Sequence, residues 1–166
     1  MMQPLITRND IAAYRQMSKT GNDDKLNEII LDAQLLDLQP LIGEGLYNKL
    51  LESLQDLEDL WNGGMYEFNG ISYSNYGLKM VLVYFAYARY MMFSSITDTP
   101  FSIVEKLNPE SRPAETTTKK TIYTLNRDVA FKIWDSVKNY LIRTKQQDYI
   151  SCANTSAAGL RFTKIG

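Results

Sequence analysis

A chain of 166 residues is one domain's length, enough to bury roughly two thirds of its unfolded surface in a single core. Hydrophobic residues make up 45 % and charged residues 22 %, which excludes wholesale disorder and a fibrous repeat, and 18 basic against 19 acidic side chains give −1, which argues against a sequence-independent nucleic-acid binder held by phosphate contacts. With no histidine and one cysteine, Cys152, the chain lacks histidine acid–base chemistry, Ser-His-Asp and Cys-His arrangements, and zinc sites built on several His or Cys ligands.

Thr7-Arg8-Asn9-Asp10 carries a capping-box start signal, with Ile6 and Ile11 at the staple positions, and predicts a short helix over residues 8–17. After a polar break at Ser18–Asn22, Asp23 or Asp24 caps a second helix in which Leu26, Ile29, Ile30 and Ala33 share one face. Pro40 and Gly43-Glu44-Gly45 bend or break the chain after Leu38. A third helix stacks Leu46, Tyr47, Leu50, Leu51, Leu54 and Leu57 along one side, a bundle helix too short for a coiled coil.

Residues 65–73 carry the clearest local signal: Asn69-Gly70 suits a type I′ turn between aromatic and β-branched neighbours, which predicts a β-hairpin. Two strands alone are marginal, so this hairpin must lean on helices or on a neighbouring subunit. Residues 76–95 form the most apolar helix, with Leu78, Val81, Leu82, Phe85, Ala88 and Met92 on one face and Tyr84, Tyr87, Tyr90, Met91 and Phe93 around the rest. A helix apolar nearly all round must be covered nearly all round, and another protomer could supply part of the cover.

Residues 97–120, with Pro100, Pro109, Pro113 and three consecutive threonines, read as a long connection with one helical turn near 103–107. The last helix runs over residues 124–147, with Leu125, Val129, Ile133, Val137, Tyr140 and Leu141 inward and Trp134 beside them. In the tail beyond it, Leu160 and Phe162 alternate with polar residues as in a strand that could pair with an edge elsewhere; the alternative is a frayed end.

No P-loop, G-x-G-x-x-G or G-x-S-x-G is present, and Gly63-Gly64 reads as a loop. Asp24, Glu28 and Asp32 share a helical face that reads as solvated rather than metal-binding. No catalytic residue, cofactor or metal ligand is expected. The start of the chain lacks the pattern of a signal peptide, and a lone cysteine suits a reducing cytosol. The apolar run Met80 to Ala88 is shorter than the roughly 20 residues of a membrane span, so no membrane partner is expected. Residues 1–114 carry 9 − 15 = −6 and residues 115–166 carry 9 − 4 = +5, a split that could arise by chance or favour head-to-tail association and acidic partners.

The order of elements carries a resemblance. A capped helix in Leu5-Ile6-Thr7-Arg8-Asn9-Asp10-Ile11-Ala12-Ala13-Tyr14, a polar break at Gly21-Asn22-Asp23-Asp24, and Leu26-Asn27-Glu28-Ile29-Ile30-Leu31-Asp32-Ala33-Gln34 follow one another. This opening resembles the head-to-tail adaptor (connector, head-completion) proteins of tailed bacteriophages, including those of crAss-like phages. The resemblance implies a dodecameric ring of helical subunits under the portal protein, extending a channel for genomic DNA and presenting a surface to the next tail or ring protein. It also implies a place in the virion at the head–tail junction after synthesis in the host cytoplasm. The hairpin, the connection 97–120 and the C-terminal extension depart from compact adaptors.

The fold expected is mainly α: a bundle of about five helices with one small β-hairpin, residues 1–150 forming the helical domain and residues 151–166 an extended tail. Interface candidates are the hairpin tip Phe68, Asn69, Gly70 and Ile71, the basic residues Lys119, Lys120, Lys132, Lys138, Arg143 and Lys145, and Leu160 and Phe162 in the tail. The function expected is a non-enzymatic ring connector; the alternative is a nucleic-acid-binding packaging or regulatory protein using the basic last helix.

Overall fold

The computed structural model describes residues 3–18, 22–98, 103–105, 114–146 and 148–149. Helix α1 (Arg8–Ala12) starts at the expected capping box: Thr7 N–H donates to Asp10 Oδ2 at 2.7 Å and Asp10 N–H to Thr7 Oγ1 at 3.4 Å. It ends earlier than residue 17, because the chain turns to lay the Arg15 guanidinium over the Tyr84 ring at 4.3 Å. Helix α2 (Asp23–Ala33) is capped by Asn22, whose side chain accepts from Asp24 N–H and Lys25 N–H. Asp23, one of the two expected caps, instead accepts a 2.7 Å bond from Arg8 Nε. Leu26, Ile29, Ile30 and Ala33 are buried as their spacing predicts.

The expected break after Leu38 does not occur there. A π-helical turn, Gln34–Leu38, carries α2 directly into α3 (Gln39–Ile42), and the helix stops at Gly43, where φ is 82°. Pro40 follows closely on the π turn, where the helical hydrogen-bond register is already changing, and its missing N–H falls at that irregularity. The wide turn points Gln34 and Asp37 inward and leaves Leu35 and Leu36 exposed. Gln34 holds the N-terminal segment by accepting from Leu5 N–H at 2.7 Å. Asp37 accepts from Arg89 Nε at 2.6 Å and Arg127 Nη1 at 2.5 Å.

The single helix expected over residues 46–57 is divided. Helix α4 (Glu44–Glu52) ends as Ser53 leaves helical geometry, and a 3₁₀ turn (Leu54–Leu57) leads into α5 (Glu58–Asn62), which buries Leu60 and Trp61. The hairpin follows as β1 (Gly64–Phe68) and β2 (Ile71–Asn75), with Asn69 at φ 52° and Gly70 at φ 74°, the paired positive angles of a type I′ turn. Helix α6 (Leu78–Phe93) is the centre of the molecule, packed against α7, α2, α5, α1 and the π turn. Its cover comes from within the chain, so no second protomer is needed to bury Leu78, Val81, Leu82, Val83, Phe85, Ala86 and Ala88.

Strand β3 (Ile96–Asp98) pairs antiparallel with β4 (Ile103–Glu105), so a second two-stranded ladder stands where one helical turn was expected. The last helix, α7 (Thr116–Arg143), begins eight residues before the expected 124. Threonines are poor helix formers, but Thr121 Oγ1 donates back to the Thr117 carbonyl and Lys119 Nζ reaches Ser95 Oγ at 2.8 Å, so contacts with the end of α6 support the early turns. Asn126 is buried and Leu125 is exposed, the reverse of the expected arrangement at that end of the helix.

Candidate functional site

The hairpin base is fixed by close backbone approach. Gly63 (φ 78°) and Gly77 (φ 80°) lie against each other; a Cβ on Gly77 would stand 2.5 Å from the Trp61 carbonyl oxygen, and one on Gly63 2.4 Å from that of Asn75. Only glycine fits either place. Buried Asn75 joins both sides of this contact, donating from Nδ2 to the Asp59 carbonyl at 3.0 Å and accepting at Oδ1 from Gly77 N–H at 3.1 Å. The hairpin is thereby tied to the end of α5 and the start of α6.

Its inner face leans on α7. Tyr66 meets Tyr140 edge-on at 4.9 Å and stacks with its cross-strand partner Tyr73 at 5.8 Å. Ser136 Oγ donates to the Ser74 carbonyl at 2.9 Å. The Arg143 guanidinium lies 3.9 Å over the Tyr73 ring and 5.7 Å from that of Phe68, and Nη1 donates to the Tyr66 hydroxyl at 2.8 Å. The support that a two-stranded hairpin needs comes from the chain's own last helix.

The two edges of the hairpin differ. A two-residue turn makes Phe68 and Ile71 a hydrogen-bonded pair, and alternation extends this to Tyr66 with Tyr73 and Gly64 with Asn75. The main-chain groups of Ser72 and Ser74 then point outward from β2, where Ser136 meets Ser74. Those of Met65 and Glu67 point outward from β1, and among the described residues no hydrogen bond reaches them. Beside this open edge is a recess of about 110 Å³ lined by Asp59, Gly63, Gly64, Met65, Tyr66, Asn75 and Tyr140. A second recess, about 290 Å³, shares Asp59 and Tyr140 and is walled by Gln55–Leu60 and Gln146. Together they form a groove rich in carboxylates: Asp56, Glu58 and Asp59, with Glu67 exposed on β1. Burial, the Asp59 charge and Tyr66 push the Tyr140 hydroxyl above the usual tyrosine pKa.

Of the interface candidates, Phe68 is half-buried beneath Arg143, while Asn69, Gly70 and Ile71 are exposed at the tip. Arg143 is an internal clamp. Lys119 bonds Ser95 and belongs to α7 rather than to the connection, as does Lys120. Lys120, Lys132, Lys138 and Lys145 are exposed, but Asp128 and Asp135 are exposed among them, so this face of α7 is mixed rather than basic. Leu160 and Phe162 lie outside the described residues, as do half of the connection and all of the tail 151–166. The outward groups of Met65 and Glu67, with the acidic groove, were missed; strand alternation counted from Asn69-Gly70 would have found the first two.

Among the described residues no group of His, Cys, Asp or Glu could hold a metal ion, and Asp24, Glu28 and Asp32 are exposed. No helix among them is long and apolar enough to cross a membrane. The architecture defines a mainly α protein with a hairpin pinned on its last helix. Residues 38–158 match the family of unknown function DUF6712, and the chain belongs to that family. No curated protein and no solved structure matches it.

Proposed function

We propose that this protein is a structural subunit without catalytic activity, assembling into a homo-oligomeric ring that joins a phage portal to the next tail component and extends the DNA channel. The observation that carries this reading is a preformed surface suited to another polypeptide: a rigidly pinned hairpin with one open strand edge beside an acid-lined groove. The resemblance of residues 5–34 to head-to-tail adaptors supplies the kind of assembly, and the −6/+5 charge split suits a head-to-tail contact that closes by rotation.

The test is mass measurement of the purified protein, alone and with a candidate portal protein. A ring, formed alone or on the portal, is expected; a monomer under both conditions overturns the reading. The alternative, nucleic-acid binding through α7, is weakened by Asp128 and Asp135 between its exposed lysines. On the connector reading, duplex DNA binds weakly and is released by moderate salt. Tight, salt-resistant binding would favour the alternative.

A further inference from the structure

We propose that the open edge of β1 receives residues 160–165 of a neighbouring copy as an added strand, with the acid-lined groove beside it as the specificity element. The inference rests on the reading of the chain as a ring subunit. Met65 and Glu67 each offer an outward N–H and C=O, an alternating set that an extended segment satisfies. Within the segment 160–165, Leu160-Arg161-Phe162-Thr163 alternates apolar and polar residues, and Lys164 and Ile165 end the pattern. In one register Leu160 and Phe162 join the face of Tyr66 and Phe68, and Arg161 and Thr163 stand beside Glu67 and Met65.

Charge points the same way: Arg161 and Lys164 are the basic residues of the tail, Glu67 is exposed on β1, Asp59 lines the recess beside the edge, and Asp56 and Glu58 line the recess that shares Asp59 with it. Length permits it, since the ten residues from 150 to 159 span up to about 33 Å, enough to cross to an adjacent subunit. Each subunit in a ring then offers one edge and one tail, so every edge is filled and none is left to template uncontrolled pairing.

The experiment uses full-length chains in a Cys152→Ser background. One carries Glu67→Cys and the other Arg161→Cys, both exposed or tail positions whose exchange spares the core. The two are mixed and treated with a short bismaleimide. A covalent pair containing one chain of each kind is the expected product. Crosslinking only when both cysteines lie in one chain would mean the tail folds back on its own hairpin, and no crosslinking in either arrangement would mean it docks elsewhere; each overturns the inference. Mass measurement of the unmodified protein reports on the ring independently, so an intact ring without the mixed crosslink refutes the strand exchange alone. As a second readout, Asp59→Lys in the Glu67→Cys chain lowers the crosslinking rate of the mixed pair by about fivefold or less, with Lys164→Glu in the Arg161→Cys chain restoring part of it.

Discussion

At the scale of single residues, the features that tolerate least change hold the hairpin and the π turn. Gly77→Ala forces a Cβ into the Trp61 carbonyl at a backbone angle of φ 80°, with backbone on both sides and nothing flexible to yield. A loss of about 3 kcal/mol or more is expected in urea unfolding. The Asp37 side chain is 3 % exposed between two guanidinium groups, and Arg127 also lies within 5.3–5.6 Å of the Phe85, Tyr123 and Phe131 rings. Burial works against the Arg127 cation, but the hydrogen bond and charge of Asp37 outweigh it and raise its pKa. Asp37→Ala strands two partly buried cations and should cost about 3–5 kcal/mol, whereas a neutral Leu at exposed position 36 changed to Ala should cost little.

Asp10 makes pH a probe of the first helix. Burial raises its pKa, but hydrogen bonds from Lys79 and Thr7 and the Lys79 charge at 2.5 Å pull it below the ordinary aspartate value. A carboxylate with a depressed folded-state pKa contributes stability that is present above its unfolded pKa of about 4 and lost as pH falls through the folded value. Acid titration of stability should therefore be less steep below pH about 4 in Asp10→Asn than in the parent, which a series of urea melts would read directly.

Among the elements, the hairpin and α7 behave as one unit. The cross-strand Tyr66–Tyr73 stack, the edge-on contact with Tyr140 and the Arg143 clamp replace the third strand that an isolated hairpin lacks. Arg143→Ala removes a cation from over Tyr73 and a 2.8 Å bond to Tyr66, a loss of about 1–2 kcal/mol. Hydrogen exchange should then quicken across residues 64–75 while α6 stays protected. Equal acceleration in α6 would show that the hairpin is coupled to global unfolding rather than to α7 alone.

For the whole molecule, the charge split survives folding, because the two ion pairs that join the segments among the described residues, Asp37 with Arg127 and Lys49 with Asp148, are of opposite sense and cancel. What remains for assembly is the acidic groove and the basic tail. Exposed ion pairs are each worth about 0–1 kcal/mol and are screened by salt, so main-chain hydrogen bonds at β1 have to supply much of the contact. Deleting residues 151–166 should weaken assembly or docking while cooperative melting of the helical body persists. A truncated chain that fails to fold would place the tail in the subunit's own core; normal assembly would remove it from the interface.

The sequence by itself determined those features that depend on neighbours a few residues apart. The capping box at Thr7 and Asp10, the apolar stripe of α2 and the Asn69-Gly70 turn with its flanking strands are local in origin, and each is where its spacing predicts. Tertiary structure alone decided what depends on partners far along the chain. The π turn around Asp37 forms where Arg89 and Arg127, 52 and 90 residues away, converge on one carboxylate, and no local pattern announces that convergence. The early start of α7 runs against threonine propensity because Lys119 and the end of α6 meet in space. The open edge of β1 exists because α7 packs under the hairpin face, Tyr140 and Arg143 meeting the Tyr66 side chain, while Ser136 meets main chain on the β2 side; that packing is invisible in the hairpin's own residues.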